Sequence, residues 1–376
     1  MVVAPNGDLF VNMQTARRGS PLASIPAGQL ALRDTDGDGR ADEVQRFGTA
    51  GGTGIALHNG FLYADAGTSI VRYRMTPGQL RPTDAAEVVV SSLPGQPGHI
   101  ARNFAITPDG TMFVNIGSAT NACQVTDRTA GSPGVEGCPE LMTRAGIWRF
   151  DANRLGQVPS VESRYATGIR NAVAMEFDKA TGRLFAVPHG RDQLAQNWPA
   201  KFTEAQNAEL PAEELIDVGR GDDFGWPFCY YDGAAGRRVL APEYGGDGST
   251  VGRCNANERP LYTFPAHWAP NGMLFYDGAH LPSRYREGVF IAFHGSWNRA
   301  PLPQGGYKVV FLPFRDGKPA PSFETFADGF AGPNMQPSGA QHRPVGIAQG
   351  PDGALYVSDD IGGTIWRITY SAANPQ

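Results

Sequence analysis

The chemistry-bearing residues of this sequence fall in short polar strings, each next to an apolar run. His99 lies in PGHIARNFAITPDG, Arg170 and Asn171 in GIRNAVAMEF, and His267, Trp268 and Asn271 in FPAHWAPNG. His294, Trp297 and Arg299 follow in FHGSWNR, and His342 and Arg343 in GAQHRPVGIAQGPDG. Imidazole is the side chain that exchanges a proton near neutrality, and guanidinium groups pair with carboxylates and polarised oxygens. Brought together, such groups would converge on an anionic, planar or carbonyl-bearing ligand. One histidine or arginine in a loop is more often solvated or capping a strand. Recurrence at equivalent places in the chain is what argues for a site.

A second, acidic string is DTDGDGRADEVQ, with Asp34, Asp36 and Asp38 at alternate positions, Arg40 and then Asp42. Alternate carboxylates of this kind start an EF-hand-type loop and converge on a calcium ion. The closing bidentate glutamate is absent, since Gln45 stands at its place. A weak structural Ca²⁺ site and an acid-rich turn are equal readings, and neither is catalytic.

The elements that must position these strings repeat. MVVAPNGDLFVN (1–12), GIALHNGFLYAD (54–65), NFAITPDGTMFVNIG (103–117), AVAMEFDKATGRLFAV (172–187), NGMLFYDG…GVFIAF (271–293) and GIAQGPDGALYVSDD (346–360) each read as strand, turn, strand. Asn-Gly and Asp-Gly accept the positive φ of tight hairpin turns, and the flanking residues alternate with period two. Third strands follow at SIVRYRM (69–75), GIWRFDA (146–152), YKVVFLPF (307–314) and TIWRITY (364–370). Only residues 202–216 are rich enough in Glu and Ala to predict a short helix. The fold expected is all-β, a six-bladed β-propeller. One domain then spans 1–376, with long loop insertions near 118–145 and 192–260. The polar strings precede or follow blade strands, so they gather at one mouth of the central channel. Because the first repeat begins at residue 1, ring closure is expected to be irregular or completed from elsewhere.

Composition agrees. Of 376 residues, 41% are hydrophobic, enough for a sizeable core, and the 48 glycines and 30 prolines follow no collagen-like period. The net charge of −5 and the lack of basic runs argue against nucleic acid as a partner. No apolar stretch is long enough to span a bilayer. Cys123 and Cys138 flank one loop, and Cys229 and Cys254 another, without the CxxC spacing of a zinc site. Two disulfides fit better than four buried thiols, and they place the protein in an oxidising compartment, periplasmic or secreted. The first residues already read as a hairpin and show no charged and apolar leader, so an exported protein would start upstream.

Taken in order, HIARNFAITPDGTMFVNIG, GIRNAVAMEF, PHGRD, GDDFGWPFC, HWAPNGMLFY, FHGSWNR and HRPVGIAQGPDGALYVSDD resemble the glucose/sorbosone dehydrogenase family, over about residues 1–370. The sorbosone dehydrogenase-like branch is the most similar. The resemblance implies a six-bladed propeller using pyrroloquinoline quinone (PQQ) and Ca²⁺ to oxidise an aldose or related sugar, with electrons leaving to an external acceptor. It implies that His99 is the general base and that Arg170 lies against the quinone oxygens beside Asn171. Further PQQ contacts are implied for His267, Trp268, Arg299 and Arg343, and Ca²⁺-binding backbone carbonyls for Gly190 and Arg191, with Asp192 nearby. The family's Gln or Arg before the second blade is replaced by Thr53, and its fifth-blade lysine by FHGSWNR. No CxxCH motif marks a haem. Two other functions remain open on the residues alone. One is a Ca²⁺-dependent lactonase-type hydrolase, and the other a non-catalytic binding propeller.

Overall fold

Short alternating runs punctuated by turn residues form sheets that are buried on their faces and must therefore stack. In a computed structural model, which describes residues 1–15 and 24–371, the sheets follow one another along the chain. The first holds β1 (Val2–Val3), β2 (Leu9–Met13), β3 (Gly28–Arg33) and β4 (Glu43–Phe47). The second holds β5 (Ile55–His58), β6 (Phe61–Asp65), β7 (Ile70–Arg74) and β8 (Glu87–Val90). The third holds β9 (Phe104–Ile106), β10 (Thr111–Ile116), β11 (Gly146–Asp151) and β12 (Arg164–Thr167). The fourth starts with β13 (Ala174–Asp178), β14 (Arg183–Val187) and β15 (Glu213–Val218). The chain then makes a separate hairpin, β16 (Cys229–Asp232) and β17 (Arg237–Leu240), before returning to that sheet as β18 (Tyr262–Phe264). The fifth holds β19 (Pro270–Phe275), β20 (Gly288–Phe293), β21 (Lys308–Arg315), β22 (Lys318–Pro319) and β23 (Glu324–Ala327). The sixth holds β24 (Pro344–Gln349), β25 (Leu355–Asp359) and β26 (Ile365–Ile368) among the described residues.

The inner strands β1, β5, β9, β13, β19 and β24 touch in that order, and β24 returns to β1. The ring is closed: a six-bladed propeller, as expected. Closure at the first blade is made by β1 itself, which packs between β24 and β5, so the expected gap before residue 1 does not open the ring. The core lies between facing sheets. Tyr63 and Ile70 of the second blade pack on Met112 and Trp148 of the third, and Phe185 of the fourth on Ile291 and Val310 of the fifth.

Two details show how sequence sets geometry. Asn59 and Gly60 take φ of +46° and +77°, the turn that lets His58 pair with Phe61. Gly272 on β19 lies so close to its neighbour that an added Cβ would sit 2.5 Å from the Val345 carbonyl of β24.

The helix expected over 202–216 is only partly formed. A short helix α1 (Leu194–Asn197) precedes it, and α2 spans Glu204–Glu209, capped by Thr203 and Gln206 in a reciprocal box. Pro211 disfavours helical backbone at Leu210, and the next residues pair with β18 through Glu213–Leu215 and with β14 through Ile216–Val218. Residues 213–216 are therefore strand.

Both disulfides form, Cys123–Cys138 and Cys229–Cys254, and no cysteine is free. The two insertions meet each other: Cys123 and Cys138 cluster with Trp226, Leu141 and Phe228. After β15 the chain leaves its own sheet and bonds to the outer strand of the third blade, where Asp223 bridges Thr167.

Two outcomes follow. Gly272→Ala should lower stability by about 1–3 kcal/mol, read by urea titration, because backbone has to move. Replacing Cys123 and Cys138, which are separated by 15 residues, with serine should cost about 3 kcal/mol.

Candidate active site

Strand direction alternates within each blade. The segments before each inner strand, and those between second and third strands, therefore emerge on one face of the ring. His99, residues 117–145, Arg170, residues 188–212, His267, residues 294–307 and Arg343 all belong to that face.

His99 is held from two sides. Its N–H and its Nδ1 both lie 2.9 Å from the Ser118 carbonyl. The Ser118 hydroxyl, 3.0 Å from Nδ1, gives its own proton to the Thr120 carbonyl. Nδ1 must therefore carry the proton, and Nε2 presents a bare lone pair. Burial, and then the Arg170 charge, push the His99 pKa down to about 3, so the ring is neutral at physiological pH. Behind it, the fully buried Arg102 donates to the His99 carbonyl at 3.1 Å and also binds the Pro94 carbonyl. Thr53, in the loop before the second blade, is committed to structure: its hydroxyl accepts the Arg102 N–H, and its own N–H bonds Asp65.

Arg170 is buried. Its Nε and Nη2 bind the Asn121 carbonyl and Oδ1 at 3.3 and 3.1 Å, Nη1 binds the Gly190 carbonyl at 2.8 Å, and Nη2 pairs with Asp192 at 3.1 Å. Among the described residues those bonds leave one of its five N–H groups without a partner. Burial alone would raise the Asp192 carboxyl, but Arg170, His267 and Arg128 hold it below the usual range. Asn171 is tied in next door. Its Oδ1 accepts from Asn115 at 3.1 Å, and its carbonyl accepts the His189 N–H at 2.9 Å.

His267 donates from Nε2 to the Asn207 carbonyl at 2.8 Å and turns Nδ1 toward Asp192, 3.8 Å away. His267 and Ala269 sit at φ of +63° and +56°, left-handed backbone that costs a non-glycine residue energy. Glu213 clamps this turn to the PHGRD loop, accepting the N–H groups of Ala269 at 3.2 Å and Gly190 at 3.1 Å. Burial raises its carboxyl to about 8, so it is largely neutral at pH 7. Trp268 packs edge-on against Phe293 and Phe323.

Two expected cofactor contacts are engaged with the protein. Arg299 donates to the carbonyls of Ala208, Ala266 and Pro303 and pairs with Glu209; it staples the wall of the mouth. Arg343 reaches the carbonyls of His294 and Gly295 at 3.0 and 2.6 Å and lies over Tyr307. Nearby, His294 meets Asp360, and His342 meets the buried Asp359, each at 2.9 Å. Asn271 holds His189 at 2.9 Å. Arg102, Asn121, His189 and Glu213 were not singled out by sequence reasoning; Arg102 and His189 do lie inside strings already noted, IARNF and PHGRD.

The oxygens of the PHGRD loop suit a hard cation. The Gly190 carbonyl takes one N–H from Arg170, and the buried Arg191 carbonyl accepts no hydrogen bond among the described residues. The Arg191 side chain turns away to Glu243. With Asp192 adjacent, this donor set is all oxygen and fits Ca²⁺. A cationic mouth with an unused guanidinium N–H likewise fits an anionic quinone. The Asp34–Asp42 loop, by strand direction, lies on the opposite face. Asp34, Asp36 and Asp42 carboxylates come within 4.8 Å of one another. Asp38 is outside that group, and its carboxylate accepts the Arg40 N–H at 2.7 Å.

A propeller whose mouth gathers imidazole and guanidinium groups over an oxygen-lined loop defines a class, and comparison places the chain within it. Residues 40–371 match the TrAA12-like family, and the chain belongs to that family. It is 32% identical over 268 residues to a pyrroloquinoline quinone-dependent pyranose dehydrogenase of Coprinopsis cinerea, covering 60% of this chain and 34% of that protein. An uncharacterised Borreliella burgdorferi protein is 30% identical over 221 residues, covering 56% of this chain and 49% of its own. The chain thus spans between a third and a half of these relatives. The holo PQQ domain of the Coprinopsis enzyme superposes with a TM-score of 0.73 at 23% identity, covering 98% and 96% of the two chains. A Trichoderma reesei family AA12 enzyme gives 0.71 at 20% identity, covering 96% of each. These structures share the fold.

The burial of neutral His99 has a consequence for stability. Unfolded, the imidazole titrates near 6.5, and folded near 3. Below pH 6.5 the unfolded chain takes up a proton that the folded chain refuses, so stability falls as pH drops from about 6.5 toward 3. His99→Asn should flatten the pH dependence of the urea midpoint across that window relative to wild type.

Proposed function

We propose that this chain is a PQQ- and Ca²⁺-dependent dehydrogenase that oxidises an aldose or related pyranose sugar, of which the sorbosone-type is one branch. It passes the electrons to an external acceptor, acts in the periplasm or outside the cell, and does so within one propeller domain spanning residues 1–376. The observation that carries the reading is the His99 lone pair, fixed beside Arg170 on the mouth of a TrAA12-like chain. The pyranose dehydrogenase relative supports the substrate class. The two disulfides support an oxidising location, and among the described residues no helix is long and apolar enough to cross a membrane.

In this reading His99 Nε2 takes the proton from the sugar hydroxyl at the carbon being oxidised. Bound at the mouth, PQQ supplies the two-electron acceptor for the hydride and Ca²⁺ a Lewis acid on its carbonyl. Arg170 offers its remaining N–H to developing negative charge, with Asn121 and Asp192 keeping the guanidinium in place. Gly190 and Arg191 offer carbonyls to the cation, while Asn171, His267, Trp268 and Arg343 shape the mouth. Arg299 is assigned to the wall. A lactonase-type hydrolase gains no support, because the acidic group Asp34, Asp36 and Asp42 lies away from the mouth.

Purified protein titrated with PQQ and Ca²⁺ should shift the quinone absorbance and reduce a dye when sugar is added. No spectral change at saturating PQQ would sink the proposal. His99→Ala should lose about 10²–10⁴-fold in kcat while still taking up PQQ; normal turnover would remove His99 from the role of base.

A further inference from the structure

Trp297 is an exposed aromatic residue set between buried neighbours. Residues 294–307 connect β20 to β21 on the mouth face, and hydrogen bonds pin them closely. Ser296 is fully buried; its N–H and hydroxyl bond Gly305 and Gln304 at 2.8 and 2.6 Å, and its carbonyl accepts the Tyr307 hydroxyl at 2.7 Å. The Asn298 carbonyl and Oδ1 each accept from Asn207 at 3.2 Å. Arg299 is bound to the carbonyls of Ala208 in α2 and of Ala266 beside His267. Between these buried residues the Trp297 side chain stands 50% exposed.

An indole left in water on a mobile loop means little. One held out by a segment whose neighbours are immobilised loses almost no further entropy when a ligand covers it, which is the advantage of a preorganised aromatic surface. The same segment bonds directly to the mouth, since the N–H groups of His294 and Gly295 reach the carbonyls of Ala269 and Trp268 at 2.8 and 3.0 Å. Trp268 is packed on Phe293 and Phe323, and Trp297 lies two residues beyond Gly295, in the segment bonded to it. Across from His294 the Asp360 side chain is 48% exposed, an acceptor for hydroxyl groups. A flat apolar ring and an exposed carboxylate beside a mouth are the two halves of sugar recognition, because a pyranose has one apolar C–H face and an equatorial rim of hydroxyls.

We propose that Trp297 is a stacking platform for a pyranose unit lying outward of the one that is oxidised, so that oligosaccharides bind more tightly than monosaccharides. This rests on the sugar-oxidising reading above and extends it from substrate class to substrate size.

The test compares wild type, Trp297→Ala and Trp297→Phe with glucose, maltotetraose and cellotetraose. Tryptophan fluorescence of the protein without PQQ reads binding alone, and KM and kcat are measured after loading with PQQ and Ca²⁺. We expect at least one tetrasaccharide to bind more tightly than glucose. Trp297→Ala should weaken that tetrasaccharide about tenfold, the scale of one aromatic contact. Its glucose KM and its kcat should stay nearly unchanged, and Trp297→Phe should recover most of the loss. Equal affinity for glucose and both tetrasaccharides in wild type would overturn the platform. So would a Trp297→Ala effect confined to the KM of the electron acceptor, which would mark the indole as a docking contact. If PQQ fails to bind, the dehydrogenase reading falls, yet the fluorescence titration still decides whether Trp297 holds a sugar.

Discussion

A guanidinium taken almost wholly out of water organises the mouth of this ring. Removing a charge from solvent is costly unless partners are placed around it. Arg170 is answered by Asn121, Gly190 and Asp192, which come from two different loops. Asn121 completes the arrangement by binding both backbone groups of Asp192 and by accepting the Trp226 N–H on its carbonyl. The loops after the second strands of the third and fourth blades, and the excursion through Trp226, are thus fixed relative to one another by the need to hold one cation.

The electrostatic result is a mouth with few free charges. Asp192 stays ionised because Arg170 faces it, whereas Glu213 is pushed toward neutrality and can hold two backbone N–H groups without bringing a full charge. His99 and His189 are kept neutral by burial and by Arg170. Neutral imidazoles beside a fixed cation leave lone pairs available while favouring an anionic ligand. An anionic ligand at the mouth would offset the Arg170 charge, which is second to burial in lowering the His99 pKa.

The blades were legible because a period-two pattern broken by Asn-Gly or Pro-Asp-Gly depends only on neighbours in sequence. The position of the mouth was legible too, since strand alternation decides which loops share a face. What could not be read was the direction of long side chains. Arg299 and Arg343, both expected to meet a cofactor, bond backbone carbonyls; which acceptors come within reach is a matter of how loops fold back. Glu213 is hidden for the same reason, being an acidic residue at the start of an ordinary strand. Within residues 202–216 Glu and Ala do form a short helix, while Pro211 and pairing with β14 and β18 end it and set the strand that follows.

The excursion between β15 and β18 has a mechanical consequence. It starts in the fourth blade, bonds along the outer strand of the third, and is closed on itself by Cys229–Cys254. The seam between those two blades is strapped from outside as well as packed from within. On the opposite side no disulfide straps the seam between the sixth and first blades among the described residues, and β24 packs there directly on β1. The entrance therefore has one reinforced jamb, the one that carries His99 and Arg170.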